Sequence, residues 1–330
     1  MPNHTAYQTD QQLCTHNSDM TKNVGGIGNL SSPRAATCYD QEDIWPLPHR
    51  EHLIDATRMS DGKLVYIKRV RTGDTESQIA SMLSSEPLST EPRNHCVPIL
   101  NMFQDNDDAA ISYMVMPFLR LIDRPPMETG EEFVDFANQV LEGLVFLREH
   151  GVAHRDCEYK NTMMDASAMY PKAFIPSRRY VFLYYYVDFG LSTYFPPDAE
   201  SRVVVGVVGR DQEVPELSED VPYDPFKVDV FIIGNMLRNE FQKKYLNFNF
   251  LTPLVKSMTQ PDPASRPSAQ QALAQWQSIR DSLTFWTRRW RLKPRTDPLL
   301  TEVVCDAYSL MVTASDVGRQ LLGGHQGVWH

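Results

Sequence analysis

Large apolar residues enter this chain late, and their spacing then changes along its length. Residues 1–43 are rich in Asn, Thr, Ser, Gln and Gly and carry few bulky side chains, so they cannot bury enough surface to offset chain entropy. A disordered N-terminal tail is expected there. From Trp45 the texture changes. HLIDATRMSDGKLVYIKRV (52–70) reads as two apolar strand runs joined by a turn at Ser60-Asp61-Gly62. ESQIASMLSS (76–85) puts Ile79, Met82 and Leu83 on one helical face, and Pro87 ends it. VPILNMF (97–103) and ISYMVMPFL (111–119) predict two more strands around the acidic turn Asp105–Asp108. EEFVDFANQVLEGLVFLREHG (131–151) is the clearest helix. Phe133, Phe136, Val140, Leu144 and Leu147 recur at helical spacing, with Glu131 and Glu132 at the start and Gly151 after the end. Strands first and helices later predict an α+β chain, a small β-rich lobe followed by a larger α-helical one.

Composition narrows the class without naming a chemistry. The 330 residues suffice for one large domain or two modest ones, and 42% apolar with 22% charged residues describes a globular protein. A net charge of −10 argues against sequence-independent nucleic-acid binding. The longest apolar run, VFLYYYV (181–187), falls far short of the ~20 residues of a membrane span. The first residues, MPNHTAYQTDQQ, contain no apolar core of a secretory signal. Five cysteines, Cys14, Cys38, Cys96, Cys157 and Cys305, are odd in number and show no metal spacing, as expected of free thiols in a reducing compartment. An intracellular, cytoplasmic or nuclear, location is therefore expected.

Candidate chemistry begins where the long helix ends. VAHRDCEYKNTMMD (152–165) sets His154, Arg155 and Asp156 in a row with Asn161 five residues after the Asp. Further on come YYVDFG (185–190), EVPE (213–216), KVDVFIIGNML (227–237) and DPASRPSA (262–269). Each has an ordinary reading alone: Lys68 as a surface strand lysine, Asp156 as a polar residue at a helix end, Asp188 as a turn former. Their order and separation make the set specific. Over about Trp45 to Leu283 the chain resembles the eukaryotic protein kinase fold, with a predicted small lobe at 44–119, a larger lobe at 120–283 and a C-terminal extension at 284–330.

The resemblance implies roles residue by residue. Lys68 matches the strand lysine that holds the nucleotide's α and β phosphates, and Glu76 its ion-pair partner. Asp156 matches the catalytic base, Asn161 and Asp188 the Mg²⁺ ligands, and Arg155 the residue that pairs with a phosphorylated side chain. Met116 falls at the gatekeeper position, and the Leu119 backbone where the adenine edge is bonded; the other reading of MPFL is a strand end with a proline. Glu216 and Arg266 resemble a buried ion pair of the lower lobe, and Asp229 an aspartate that holds the catalytic-loop backbone. ATP and Mg²⁺ are the implied cofactors, and a protein substrate or protein partner is implied with them.

Several positions depart from the pattern. Counted back from Lys68, the phosphate-covering loop falls on Pro46-Leu-Pro-His-Arg-Glu51, where glycines would otherwise let backbone N–H groups approach phosphate. Two residues before Lys68, where these enzymes keep a small alanine, stands Tyr66, whose ring would crowd the nucleotide unless a one-residue slip turned it to the other face. Glu158 replaces the lysine of serine/threonine kinases, Lys160 lies two residues later, and GRDQEVPE lacks the expected threonine. MYPKAFIPSRR, read as a surface loop, lengthens the segment between Asn161 and Asp188. With the short segment before DPASRP, it resembles kinase-like proteins found in fungi, here with a degenerate glycine-rich loop.

Arg155 leaves two alternatives open: Ser201 as a phosphorylated switch, or an activation segment held by packing of the valine run VVVGVV. FWTRRWRLKPR (285–295) is either an address or contact for an acidic partner or membrane surface, or a solvated helix face whose tryptophans pack on the lower lobe. The functional expectation is transfer of the ATP γ-phosphate to a protein hydroxyl, on serine or threonine. The alternative is a pseudokinase with weak or no nucleotide binding, acting through protein contacts.

Overall fold

The computed structural model describes residues 30–31, 52–167 and 182–322. The expected tail at 1–43 (apart from Leu30–Ser31), the loop positions 46–51 and the MYPKAFIPSRR segment lie outside them. The chain divides into two compact units: residues up to Ser84 with Val97–Phe118, and Ser85–Cys96 with Leu119 onward. The first is built on a β-sheet and the second mainly on helices, the mixed α+β order that the hydrophobic pattern implies.

In the first unit, strands β1 (Leu30–Ser31), β2 (Leu53–Arg58) and β3 (Leu64–Arg71) precede helix α1 (Thr75–Leu83). Strands β4 (Asn101–Gln104) and β5 (Ile111–Pro117) complete an antiparallel sheet of order β1-β2-β3-β5-β4. Alternation along β3 sends Val65 and Ile67 to one face, where they pack with Ile54, Ala56, Tyr113 and Val115. Tyr66 and Lys68 therefore share the other face, opposite Met116 and Met114 of β5. Asp74 caps α1 by accepting the Ser77 N–H at 2.8 Å. The acidic turn is organised by Asp105, which accepts the N–H groups of Asp107 and Asp108 and the Tyr113 hydroxyl. The predicted strand over 97–103 starts only at Asn101, because Pro98 has no N–H to give a sheet.

The second unit contains β6 (Arg120–Leu121), α2 (Gly130–Glu149), β7 (Val152–Ala153), β8 (Thr162–Asp165), β9 (Leu183–Tyr186), β10 (Thr193–Tyr194), β11 (Val204–Gly206) and β12 (Ser218–Tyr223). Helices α3 (Pro225–Met236), α4 (Thr252–Met258), α5 (Ala269–Ser282), α6 (Phe285–Arg289) and α7 (Leu299–Leu322) follow. A capping box starts α2: Glu132 reaches back to the Thr129 N–H at 2.9 Å. Its end needs Gly151, which takes φ +72° where a Cβ would lie 2.1 Å from the Phe195 carbonyl oxygen. On α2, Phe133 meets Phe241, Phe248 and Trp276 edge-on, with ring centroids 4.6–5.8 Å apart. Helix α3 is buried along its whole length, which makes the carboxylate of Asp229 inside it conspicuous.

The basic-aromatic stretch is not one helix face. After the short α6 the backbone runs extended, with bonds from the Gly130 N–H to the Trp290 carbonyl and from the Leu292 N–H to the Glu128 carbonyl. Arg288 pairs with Glu131, Arg291 with Asp306 and Lys293 with both Asp306 and Glu302. Three of its five cations are turned onto the protein's own acids, while Arg289 lies over the Phe285 ring, Arg295 donates to the Gln242 carbonyl, and Phe285 and Trp286 stay half-exposed.

Candidate active site

In the first unit, Lys68 and Glu76 meet directly. Lys68 projects from β3, Glu76 from the first turn of α1, and the Lys68 Nζ donates to Glu76 Oε1 at 2.5 Å. The two side chains are largely shielded, so solvent screens the pair less than it would a surface one. Beside Lys68, the Tyr66 ring is buried and stacks on Phe118, centroids 4.6 Å apart. The strand register excludes the slip that would have turned this ring to the other face. Met116 lies opposite Tyr66 on β5. Leu119 falls in the second unit and is buried.

In the second unit, the loop between β7 and β8 is held from below. Asp229 accepts the His154 N–H at 2.8 Å and the Arg155 N–H at 2.6 Å. Those two bonds support Arg155 in a left-handed conformation, φ 67°, uncommon for a residue with a side chain. His154 is fully buried, between the rings of Tyr186 and Phe189. Its Nε2 lies 3.1 Å from the Val187 carbonyl, an acceptor, and its Nδ1 lies 3.3 Å from the Asp156 N–H, a donor. These partners select the neutral Nε2–H tautomer. Burial lowers the pKa to about 4 in agreement, outweighing the opposing pull of Asp188.

Asp156 is buried, and both carboxylate oxygens have donors. The Asn161 Nδ2 donates to Oδ2 at 2.7 Å, and the Arg210 N–H to Oδ1 at 2.7 Å. Burial raises its pKa; the Arg210 N–H opposes that, and the nearby Asp188 carboxylate reinforces it. The Asn161 Oδ1 is fully enclosed and has no hydrogen-bond partner, an arrangement that native proteins seldom leave without a purpose. Asp188, like Arg155, adopts φ 67°. The second unit thus gathers Asp156, Asn161 and Asp188, while Lys68 and Glu76 pair in the first.

Arg210 was not legible as a site residue. Its Nε lies 3.5 Å from Asp156 Oδ2 and 3.4 Å from Glu158 Oε1, so a cation from a distant segment stands beside both acids. Gly209 makes the approach possible. It takes φ +125°, and an added Cβ would sit 3.1 Å from the Arg155 carbonyl oxygen. Glycine before arginine after a valine run is the only trace of this in the chain, and it does not reveal where the arginine folds to.

Arg155 reaches four neutral oxygens. Its guanidinium contacts the Leu191 carbonyl, Thr193 Oγ1, the Val205 carbonyl and the Tyr223 hydroxyl at 3.3–3.5 Å. The Tyr223 hydroxyl in turn donates to the Gly206 carbonyl at 2.6 Å, and β11 pairs with β12. The valine run itself is not buried here, Val203, Val205, Val207 and Val208 being exposed, so these hydrogen bonds and the β11–β12 pairing hold the segment. Nearby, the Glu216 carboxylate and Arg266 guanidinium meet in two parallel bonds of 2.8 and 2.5 Å.

The family model that matches the chain is that of the protein kinase domain, over residues 52–249. The chain is 26% identical over 226 residues to the serine/threonine-protein kinase oca2 of Schizosaccharomyces pombe, a match covering 64% of this chain and 32% of that protein. It is 25% identical over 178 residues to the serine/threonine-protein kinase PSK1 of Saccharomyces cerevisiae, covering 52% of this chain and 12% of that one. The chain therefore spans a third or less of the length of these curated relatives.

Proposed function

This chain belongs to the protein kinase family, and on that footing we propose that it moves the γ-phosphate of ATP onto a serine or threonine hydroxyl of a protein substrate. The observation that carries this reading is that the Asn161 amide, bonded to Asp156 beside Asp188, leaves a fully buried oxygen without a partner. Such an oxygen, together with a carboxylate, fits a hard divalent cation. Asn161 Oδ1 and Asp188 would hold Mg²⁺, which neutralises charge on the phosphates when bound. Lys68, fixed by Glu76, is the cation for the α and β phosphates. Asp156 takes the proton of the acceptor hydroxyl. The Asn161 amide fixes its orientation, each of its oxygens keeps a further lone pair, and burial strengthens its hold on a proton. Arg210 supplies beside Asp156 the positive charge that Glu158 withholds.

Free thiols at Cys96, Cys157 and Cys305 support an intracellular setting. Among the described residues no helix is long and apolar enough to cross a membrane.

One observation favours a second reading, a pseudokinase. The Tyr66 ring is buried against Phe118 on the face that carries Lys68, where related enzymes keep a small residue. The deciding experiment follows phosphate transfer from labelled ATP to a mixed peptide library with Mg²⁺, alongside isothermal titration of Mg·ATP. The proposal expects turnover by the wild type, none by Asp156→Asn, and a loss of at least tenfold in Arg210→Gln with nucleotide binding retained. Nucleotide binding without turnover in the wild type, or equal turnover in Asp156→Asn, would overturn it.

A further inference from the structure

Helix α7 faces the opposite way from a helix that packs on its own domain. Its inward stripe is polar: Glu302, Asp306, Ser309 and Thr313 recur at steps of four, three and four. Ser309 and Thr313 are buried, and the two acids bond Lys293 and Arg291. The outward stripe is Leu300, Val304, Ala307, Met311 and Ala314, at steps of four, three, four and three, all of them exposed. Leu299, Val303, Tyr308 and Leu310 flank it. The seven largest of these outward side chains are 51–82% exposed. A monomer's surface seldom shows such a contiguous apolar strip.

The chemistry of the strip restricts what covers it. Between Leu299 and Ser315 the only charged residues are Glu302 and Asp306, and both are occupied on the inward side. From Leu299 to Ser315 the outward face offers no cation to a phosphate backbone or an anionic bilayer. Of the preceding basic stretch, Arg288, Arg291 and Lys293 are held by the protein's own acids, Arg295 donates to the Gln242 carbonyl and Arg289 lies over the Phe285 ring. What the face does have is the alternating four-three seam of a coiled coil, which a second helix with the same seam fills by knobs-into-holes packing. Large Val304 and Met311 alternate with small Ala307 and Ala314, so two identical strips related by a two-fold axis can interlock. Seven side chains exposed to this degree present on the order of 800 Å² per copy, an upper bound on what the seam can bury that reaches the per-partner share of a standard-size interface. We infer that the outward seam of α7 is a homodimer interface and that its occupant is α7 of a second copy of this chain.

The test is the mass of the full chain by sedimentation equilibrium from about 1 to 100 μM, at and above the weak end of the roughly μM-to-pM affinities of interfaces of standard size. Wild type is expected at twice the 37.8 kDa of one chain. Val304→Asp with Met311→Asp, and separately Ala307→Lys, are expected at the monomer mass with an unchanged melting profile of the monomeric fold. The single change at Ala307, an exposed helical position, guards against misfolding as the cause. A wild type that stays monomeric at the highest concentration overturns the inference, and co-sedimentation of that monomer with neutral phosphatidylcholine vesicles would assign the seam to lipid. Variants that remain dimeric overturn it as well, by placing the contact elsewhere.

Discussion

Truncating Arg266 to alanine should cost the second unit about 3–5 kcal/mol, the usual penalty for removing one member of a buried ion pair. The structure shows why the upper half of that range is the better expectation. The side chain is buried, and its guanidinium makes two bonds to Glu216. It also donates to the carbonyl oxygens of Gln260, Lys227 and Pro261 at 2.7, 3.0 and 3.2 Å, and it lies 4.7 Å from the centroid of the Phe231 ring. Alanine would leave a shielded carboxylate without its cation and three backbone acceptors without their donor. Glu216→Gln should cost less, about 1–2 kcal/mol, because the amide oxygen still accepts from the guanidinium. For a domain of this size roughly 2 °C accompany each kcal/mol, so Arg266→Ala should melt about 8–10 °C below wild type and Glu216→Gln about 2–4 °C below. Calorimetry supplies the melting points, and urea titration supplies the free energies with the slope checked for constancy. An Arg266→Ala protein melting within 1 °C of wild type would refute this reasoning, since it would mean that Glu216 finds water or another partner at no cost.

Other expectations rest on separate observations. Tyr66→Ala should tighten Mg·ATP binding about tenfold, or ~1.4 kcal/mol, by removing the ring stacked beside Lys68, and unchanged affinity in isothermal titration would exclude that ring as an obstacle. Acid should weaken the fold through two buried neutral imidazoles, His95 and His154, whose pKa values burial lowers to about 4 from an ordinary 6.5. A base with a depressed folded pKa keeps its full contribution above pH 6.5 and loses it as the pH falls toward 4. Each should therefore forfeit about 2 kcal/mol between pH 7 and 5, where the unfolded imidazole is protonated and the folded one is not. His95→Gln should remove about half of that loss in urea titrations at the two pH values, and a stability independent of pH over this window would refute the assignment. The 3.7 Å separation of His95 from Glu142 does not alter the sign, because a contact of that length on a neutral ring is no ion pair.

How much of this was readable in the chain depends on the range of the interaction. Helix α2 was, because periodic Phe133, Phe136, Val140, Leu144 and Leu147 and the capping residues act within a few turns. The pairs Lys68–Glu76 and Glu216–Arg266 and the carboxylate of Asp229 under the loop could be anticipated only through resemblance, since 8, 50 and 75 residues separate the partners. The strand predicted over 97–103 begins only at Asn101, because Pro98 has no N–H for the ladder whatever its apolar neighbours.

The amino-acid sequence by itself determined the order of elements and the residue types on which phosphoryl transfer depends. These follow from backbone periodicity and side-chain chemistry, which are local. Only the tertiary structure decided that the β3 register keeps Tyr66 on the face of Lys68, that Arg210 arrives beside Asp156 and Glu158, that Arg155 is met by neutral oxygens, and that Arg288, Arg291 and Lys293 of the basic stretch pair with Glu131, Glu302 and Asp306. Only it showed that α7 turns its polar stripe inward. An amphipathic pattern specifies that a helix has two faces, but which face the protein covers depends on the charges that the rest of the fold presents to it, here Arg291 and Lys293.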